Sequence, residues 1–333
     1  MKLAFVMMES IYPQRGGIHE QVFLLTRELK KMSFDVEIIP YSTRRVDERG
    51  KKMLWLREMS PSFISKIKGN KYDAVISETA WPIIPSILGS KLSSSPCILH
   101  LHSVESRQDT GLSFSGKKII SFLERLRKFC DITFVPSEIE RELLKNAEIL
   151  PNIIDIDAFQ TVKPVELKRP AVVFVGGMGY PPNREAALSI LRISEILKEK
   201  GKGNINFYLV GPSPPPTIPP VYSTGYVEST IAYIKGADIC IAPVKRGGGV
   251  KLKTLEYMAS GKPIIATYKA VEGIDKINYI HAEKEEEFAN AIEEILKNGE
   301  SMNFQENIKL VREKHSPTSA ANKLIYNLKK IIK

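Results

Sequence analysis

The sequence predicts an α/β fold of two Rossmann-like, doubly wound domains that face each other across a cleft. Short apolar segments alternate with amphipathic ones along the chain, which is the order expected of parallel sheets covered by helices. The alternation stops between residues 157 and 170, where proline and charged residues follow no period, and then starts again. We therefore expect one domain over residues 1–157, a second over 158–314, and a C-terminal helix over 315–333.

The first domain opens with a strand–loop–helix–strand order, which forms one βαβ unit. Val22, Leu25 and Leu29 recur at helical spacing and predict the helix of this unit. Its elements are a strand at 2–7, the helix at 18–32 and a strand at 36–40. The same pattern continues with buried strands at 74–77, 97–101 and 132–135 and a helix at 116–129.

The second domain repeats this pattern. Its strands are predicted at 171–175, 206–210, 239–242 and 263–266, and its helices at 184–200, at 251–260 and from 285 onward. A proline cluster over 212–220 has the character of a rigid loop, and Pro317 starts the last helix. Because open parallel sheets bind ligands beyond the carboxyl ends of their strands, we expect functional residues in the loops after the strands.

The composition is that of a globular protein, with 43% hydrophobic and 26% charged residues among 333 and a mean hydropathy of −0.13. These values exclude disordered, collagen-like and disulfide-rich classes. The three cysteines form no C-x-x-C pair, which indicates a reducing compartment and no zinc site. Glu9 interrupts the apolar start of the chain, and no apolar run reaches the roughly 18–20 residues that span a bilayer. We therefore expect a cytoplasmic protein.

The strongest local signal is a glycine-rich loop between a strand and a helix. Gly247, Gly248 and Gly249 allow close approach of a ligand to the backbone, and the helix at 251–260 begins directly after them. The free N–H groups and positive dipole at a helix start favour a diphosphate. Positive charge at the same end comes from Arg246, Lys251 and Lys253.

Glu256 lies one turn deeper in this helix, on the face of Lys253, where a carboxylate can accept hydrogen bonds from ribose hydroxyls. A glycine turn followed by an amphipathic helix with solvated charges is the alternative interpretation. The pattern matches neither G-x-x-x-x-G-K-[ST] nor G-x-G-x-x-G, so a P-loop ATPase and a dinucleotide fingerprint are not supported.

The glycine-rich run resembles the donor-binding signature of the family 4 glycosyltransferases of GT-B fold. Other segments match that family in the same order, over nearly the whole chain. They are Gly16-Gly17, Leu150-Pro-Asn152 with Asp155 and Phe159, residues 174–183, Gly225-Tyr226-Val227, and Glu272-Gly-Ile after the signature.

The resemblance implies a retaining hexosyltransferase that moves a sugar from a UDP- or GDP-type donor to a hydroxyl of an unknown acceptor, a glycan or a lipid-linked molecule. It also implies that no metal or cofactor is needed, that the second domain binds the donor, and that the C-terminal helix crosses back to the first domain. The predicted donor-binding residues are Gly16, Gly17, Gly177, Tyr226, Val227, Arg246, Gly248, Gly249, Val250, Lys251, Lys253 and Glu256.

The chain departs from the family pattern at several positions, among them Pro182 near the place of a common lysine and Ile153 in place of a usual glycine. Gly248 stands where the family often has a first glutamate, and Gly177 stands where it often has an arginine. We therefore assign phosphate binding to Lys253, with Lys251 or Arg246 in support.

His102 follows the strand at 97–101, and a histidine at the carboxyl end of a parallel strand points toward the expected site. The family has a similar His-x-x-Glu at this place, so the resemblance implies that His102 contacts the transferred sugar or the reacting centre. Glu105 is the second predicted catalytic residue, and the alternative is that it only orients His102 or caps a helix. We expect His100 to point to the other face and to be structural.

Residues 44–71 are basic, with apolar residues at roughly helical spacing. They predict either a helix packed on the sheet with a solvated basic face or a surface that docks on anionic lipid at the cytoplasmic membrane face. The net charge of +10 attracts anions in general, but it is spread over both halves and we expect no nucleic-acid partner.

Two other functions fit the same fold. One is a nucleotide-sugar epimerase, which needs carboxylates around the sugar, and the other is a non-catalytic nucleotide-sugar-binding protein, suggested by the missing first glutamate. Asp155-Ile-Asp157 spells D-x-D, but it falls in the interdomain segment rather than after a strand, so we expect no metal site there.

Overall fold

The chain contains two compact units, Met1–Ile153 with Pro317–Lys333, and Ile154–Ser316. The computed structural model describes residues 1–12, 17–42, 60–107, 113–298 and 303–332. Each unit is built on one six-stranded sheet whose neighbouring strands all run parallel. The α/β class with two Rossmann-like domains is therefore confirmed.

The sheet of the first unit has the strand order β2-β1-β3-β4-β5-β6. Its strands are β1 (Lys2–Glu9), β2 (Asp35–Ser42), β3 (Ala74–Glu78), β4 (Cys97–His100), β5 (Ile132–Val135) and β6 (Glu148–Ile149). Its described α-helices are α1 (Gly17–Lys31), α2 (Pro61–Lys68), α3 (Ile83–Ser93), α4 (Phe114–Arg125) and α5 (Glu138–Leu143). Two 3₁₀ helices occupy Glu105–Arg107 and Leu126–Phe129.

The last helix of the chain packs in the first unit. This helix, α13 (Pro317–Ile331), buries Leu324 and Leu328 in the same apolar cluster as Val22 and Leu29 of α1. Thr318 Oγ1 donates a hydrogen bond of 2.6 Å to Glu28 Oε1. The apolar stripe that predicts α1 from the sequence is therefore covered partly by a segment almost 300 positions further along the chain.

The sheet of the second unit has the order β12-β11-β10-β7-β8-β9. Its strands are β7 (Ala171–Val175), β8 (Asn206–Val210), β9 (Val221–Gly225), β10 (Ile239–Ala242), β11 (Ile264–Ala266) and β12 (Ile280–His281). Its helices are α6 (Ala158–Thr161), α7 (Pro181–Glu199), α8 (Thr230–Gly236), α9 (Leu252–Ser260), α10 (Tyr268–Val271), α11 (Glu285–Asn298) and α12 (Gln305–Lys314).

The segment predicted as an irregular linker, residues 157–170, contains α6 and is held against α8. Lys235 Nζ donates hydrogen bonds to the carbonyl oxygens of Phe159 at 2.6 Å and Val162 at 2.5 Å. Strand β9 was not predicted, because its residues Tyr222, Ser223 and Thr224 are half-exposed at a sheet edge and lack the apolar run of a buried strand.

Gly236 allows the linker segment to approach α8 closely. A Cβ at Gly236 would lie 2.3 Å from the carbonyl oxygen of Val165, a backbone atom that cannot move away cheaply. We expect Gly236→Ala to destabilise the second unit by about 2 kcal/mol and to lower its melting temperature by roughly 5 °C. Gly203→Ala is the matched control, since its Cβ would meet Lys198 at an ordinary 3.6 Å. Equal melting temperatures for the two variants would contradict the prediction.

Candidate functional site

A buried cluster of one carboxylate and two imidazoles lies at the carboxyl ends of β3 and β4. Parallel register places Glu78 beside His100. Glu78 Oε2 lies 3.0 Å from His100 Nδ1 and 2.8 Å from His102 Nε2. The centroids of the two imidazole rings are 4.3 Å apart, and Glu78 is 1% exposed. One buried carboxylate therefore orients both histidines.

Burial alone would raise the pKa of Glu78, but the charge of His100 and hydrogen bonds from both imidazoles outweigh it and lower the pKa to about 2. Burial, together with the charge of His100, lowers the pKa of His102. Glu78 is thus a carboxylate and His102 a neutral imidazole at neutral pH.

The tautomer of His102 follows from this pairing. A carboxylate only accepts hydrogen bonds, so Nε2 of His102 carries the proton and Nδ1 is the acceptor. Among the described residues Nδ1 is buried and has no hydrogen-bond partner. A buried acceptor without a partner is uncommon in folded proteins and calls for a functional or structural explanation.

Glu78 was missed by the sequence reasoning, although a glutamate at the end of the apolar strand β3 is a signal that could have indicated it. The prediction that His100 points to the other face is wrong, because side chains two positions apart in a strand lie on the same face. Glu105, predicted as catalytic or as a partner of His102, starts a 3₁₀ helix and accepts a hydrogen bond of 3.4 Å from Trp81 Nε1.

Glu78, His100 and His102 each offer one atom of a type that binds metal ions, and these atoms lie within 4.8 Å of one another. The carboxylate–nitrogen distances of 2.8–3.1 Å are those of direct hydrogen bonds. Two N–H groups and one carboxylate account for this geometry, and the arrangement is a hydrogen-bonded cluster.

A second polar cluster lies at the carboxyl edge of the other sheet, where β7 and β10 are neighbours and the chain leaves in opposite directions. This is the switch point at which doubly wound sheets bind ligands. Lys253, in the first turn of α9, donates a hydrogen bond of 2.6 Å to Asn183 Oδ1. Its Nζ lies 4.2 Å from the ring centroid of Phe174, the penultimate residue of β7.

Glycine leaves the space for this lysine. A Cβ at Gly176 would lie 2.9 Å from both Lys253 Nζ and Asn183 Nδ2, and Asn183 Nδ2 donates to the carbonyl of Gly177 at 3.0 Å. Asn183 therefore holds the lysine and the loop after β7 in one arrangement. Gly177 lies in this cluster through its carbonyl oxygen, and Asn183 is a residue that the sequence reasoning did not select.

Desolvation at this place lowers the pKa of Lys253 to about 7, against a smaller opposing effect of Glu256. Lys253 forms no ion pair with a carboxylate in the described part of the chain. An anion that binds beside a desolvated amine stabilises its protonated form, so the amine takes up a proton and forms an ion pair with the anion.

The other two predicted cations have partners within the protein. Lys251 precedes α9, and its Nζ donates to the carbonyls of Gly249 at 2.7 Å and Gly248 at 3.2 Å. Arg246 pairs with Glu185 of α7 through two hydrogen bonds. Lys251 thus stabilises the glycine loop by hydrogen bonds, and Arg246 links that loop to α7 through its ion pair with Glu185.

Four of the remaining predicted donor residues lie in the second unit, namely Glu256, Tyr226, Val227 and Val250. Glu256 accepts a hydrogen bond of 3.3 Å from Thr230 Oγ1 at the start of α8. Tyr226 directly follows β9 and is 79% exposed, whereas Val227 and Val250 pack on the core of the unit. Gly17 is the first residue of α1 in the other unit, and Gly16 lies outside the described residues.

These units have the class of fold that places phosphorylated ligands at helix starts beyond parallel strands. Residues 15–158 match the family model described as Glycosyltransferase Family 4, and residues 169–298 match the model described as Glycosyl transferases group 1. No curated protein matches the chain.

Solved structures with the same architecture are similar over almost their whole length. HepE from Anabaena in complex with UDP-glucose has a TM-score of 0.73 at 12% identity, covering 99% of this chain and 100% of that one. Sucrose-phosphate synthase from Thermosynechococcus elongatus has a TM-score of 0.73 at 15% identity, with 99% of both chains covered. A glycosyltransferase from Rickettsia africae has a TM-score of 0.71 at 17% identity, covering 100% and 99%. The chain belongs to the family 4 glycosyltransferases and has the GT-B fold.

Most of the basic segment 44–71 lies outside the described residues, which omit 43–59. Its described part includes α2, where Phe63 and Ile67 are buried while Lys66 and Lys68 are exposed. Within the described ranges no helix combines the length and the apolar character needed to cross a membrane.

Proposed function

We propose that this glycosyltransferase moves a hexose from a UDP- or GDP-type nucleotide sugar to a hydroxyl of its acceptor, with retention of the anomeric configuration. The observation that carries the proposal is Lys253, which stands at the start of α9 beside Gly176 without an ion-pair partner in the described residues. HepE, with the same fold, was solved with UDP-glucose, which supports a uridine nucleotide as the first donor to test.

The leaving group of the proposed reaction is a nucleoside diphosphate, and its developing negative charge needs stabilisation. In our proposal Lys253 supplies a full charge and the first N–H groups of α9 supply partial charges. Glu256 accepts hydrogen bonds from the ribose, and the backbone at Gly177, Gly248 and Gly249 lets the diphosphate approach. The proposal includes no metal or cofactor, so a chelator should leave turnover unchanged.

His102 is proposed to contact the sugar through Nδ1, the acceptor atom that Glu78 leaves available. The family match favours transfer over the two alternatives from the sequence, an epimerase and a non-catalytic binding protein. The acceptor is proposed to be a glycan or lipid-linked hydroxyl, and contact of residues 44–71 with an anionic membrane remains a proposal as well.

A thermal-shift screen with UDP-, GDP- and ADP-sugars tests the donor class. A sugar nucleotide present at a hundred times its dissociation constant is expected to stabilise the protein by about 2.7 kcal/mol. A second assay measures release of nucleoside diphosphate with and without candidate acceptors. A transferase releases the diphosphate when an acceptor is present, whereas an epimerase returns a sugar nucleotide and releases no diphosphate. Failure of every sugar nucleotide to bind would overturn the proposal.

A further inference from the structure

An exposed face of the first unit carries aromatic and cationic side chains in alternation. Of the chain's 13 phenylalanines, the largely exposed ones are Phe114, Phe122 and Phe129, at 76%, 51% and 48%. Phe114, Lys118, Phe122 and Arg125 follow one another at steps of four, four and three residues along α4, so they form one stripe on the helix. Phe129 continues it on the following 3₁₀ helix. We call residues 114–129 the phenylalanine–lysine face.

The opposite side of α4 is anchored in the core. Ile120 and Leu123 are fully buried, and Glu124 accepts hydrogen bonds from Ser106. Glu124 is the only acidic residue of the face and is 5% exposed. The exposed phenylalanines are therefore not displaced core residues, because the helix already buries a separate apolar side.

The charge of this face is positive and not neutralised. Five cations occur between residues 114 and 129, and none of them forms an ion pair within the part of the chain that the structure describes. They are Lys117, Lys118, Arg125, Arg127 and Lys128. Lys118 lies over the Phe114 ring at 4.5 Å, and Lys128 and Lys91 lie over the Phe129 ring at 5.0 and 5.3 Å.

Two open hollows flank the stripe and meet at Arg125. One, of about 490 Å³, is lined by Arg107, Lys117, Lys118 and Arg125 together with Ser106 and Ser121. The other, of about 630 Å³, is lined by Arg125, Arg127 and Lys128; its single carboxylate, Asp131, accepts a hydrogen bond from the backbone N–H of Cys97. Both hollows thus offer cations and hydroxyl or amide groups to phosphate oxygens.

We propose that the phenylalanine–lysine face docks on an anionic lipid bilayer. Phe114, Phe122 and Phe129 insert at the boundary between headgroups and acyl chains, and the surrounding cations bind lipid phosphates in the two hollows. Charge complementarity identifies the partner, since a second copy of so positive a face would be repelled. Phenylalanines on the outer side of a helix, next to unpaired lysines, fit a lipid surface better than a nucleic-acid groove.

Docking is independent of the proposed transfer reaction, because none of these residues belongs to the donor cluster or to the Glu78–His102 pair. Flotation of the full chain with vesicles tests it. We expect binding to vesicles of phosphatidylcholine with phosphatidylglycerol, loss of binding as salt rises, and little binding to phosphatidylcholine alone.

Two double variants separate insertion from charge. Phe114→Ser with Phe122→Ser and Lys118→Glu with Arg125→Glu should each weaken vesicle binding at least roughly tenfold, while sugar-nucleotide binding stays unchanged. The matched control is Tyr326→Ser with Lys330→Glu, an exposed aromatic–cation pair on α13 with a 4.1 Å contact, which should leave vesicle binding unchanged. Circular dichroism and melting temperatures confirm that the variants fold.

The proposal would be overturned by vesicle binding that survives in both double variants, as it would if residues 44–71 alone bound lipid. Equal losses in the test and control variants would also overturn it. A third result would also overturn it: the protein binds no vesicles but binds an oligonucleotide tightly, and the serine variant still binds that oligonucleotide. The face would then be a nucleic-acid binding surface.

Discussion

Replacement of Lys253 by methionine is expected to weaken sugar-nucleotide binding by about 100-fold, because a hydrogen bond to a charged group contributes up to about 3 kcal/mol. Methionine fills a similar volume beside Phe174 and Gly176 but has no charge and no N–H. Isothermal titration with the sugar nucleotide that gives the largest thermal shift measures the change. Lys262→Met is the control, since Lys262 follows the opposite end of the same helix.

The same lysine predicts a pH dependence of binding. A diphosphate beside Lys253 favours the charged amine, so its pKa of about 7 in the free protein rises in the complex and binding takes up a proton. Affinity should therefore be highest below pH 7 and fall as the pH increases above it. A sugar nucleotide is the right probe, because the terminal phosphate of a free nucleotide titrates near about pH 6.

In Lys253→Met the affinity should not change over this pH range. The free energy of unfolding of the ligand-free wild-type protein gives a second readout, and the contribution of Lys253 to it changes with pH in the opposite direction to the affinity. Its unfolded state holds the Lys253 proton up to a pKa of 10.5, whereas the folded state releases it at about 7, so this group makes folding more favourable as the pH rises between those values. A pH-independent affinity in the wild type, or an unchanged affinity in Lys253→Met, would remove Lys253 from the donor site.

Replacement of Glu78 by glutamine is expected to reduce turnover by roughly 100-fold or more with donor affinity nearly unchanged. Glu78 is a positioning residue, because it acts through His102. Glutamine keeps the shape but loses the negative charge, and its NH₂ group would face an imidazole N–H. An amide oxygen is a weaker acceptor than a carboxylate, so the proton is held less firmly on Nε2 of His102 and Nδ1 is a less dependable acceptor.

Two further variants test whether this loss is due to the tautomer rather than to damage. Glu78→Asp keeps the carboxylate at a shorter reach and should retain more turnover than Glu78→Gln. Glu138→Gln should lose little turnover, because this half-exposed carboxylate of the same unit pairs with Arg141 on the surface. The pH–rate profile distinguishes the two explanations, because it would not change if Glu78 only maintained the fold. The carboxylate raises the pKa of His102, so its removal should shift the acidic limb to lower pH.

Full turnover in Glu78→Gln would show that the Glu78–His102 hydrogen bond has no part in the reaction. A melting temperature far below that of the wild type would assign the loss to the fold of the first unit, and the Glu78→Asp variant then decides between the two explanations.

The donor cluster shows how far the sequence predicts a site. The sequence places Arg246, Lys251 and Lys253 around the glycine run and the start of α9, and it favours Lys253 for phosphate binding without showing what each cation contacts. The structure distinguishes them, because Arg246 pairs with Glu185, Lys251 bonds to the carbonyls of its own loop, and Lys253 turns toward Asn183 and Phe174. Which partner each cation takes depends on α7 and β7, which lie about 60 to 80 positions earlier in the chain.

The sequence by itself determined the properties that depend on near neighbours along the chain: the alternation of buried strands and amphipathic helices, the glycine loop before α9, and the histidine after β4. Only the tertiary structure decided which distant groups meet. It brought Glu78 to His102, Asn183 to Lys253 and α13 to α1, and it left Phe114 and Phe122 on the surface while Ile120 and Leu123 were buried. The physical reason is that periodicity reports the conformation of a segment, whereas the pKa, tautomer and exposure of a side chain depend on atoms supplied by other segments.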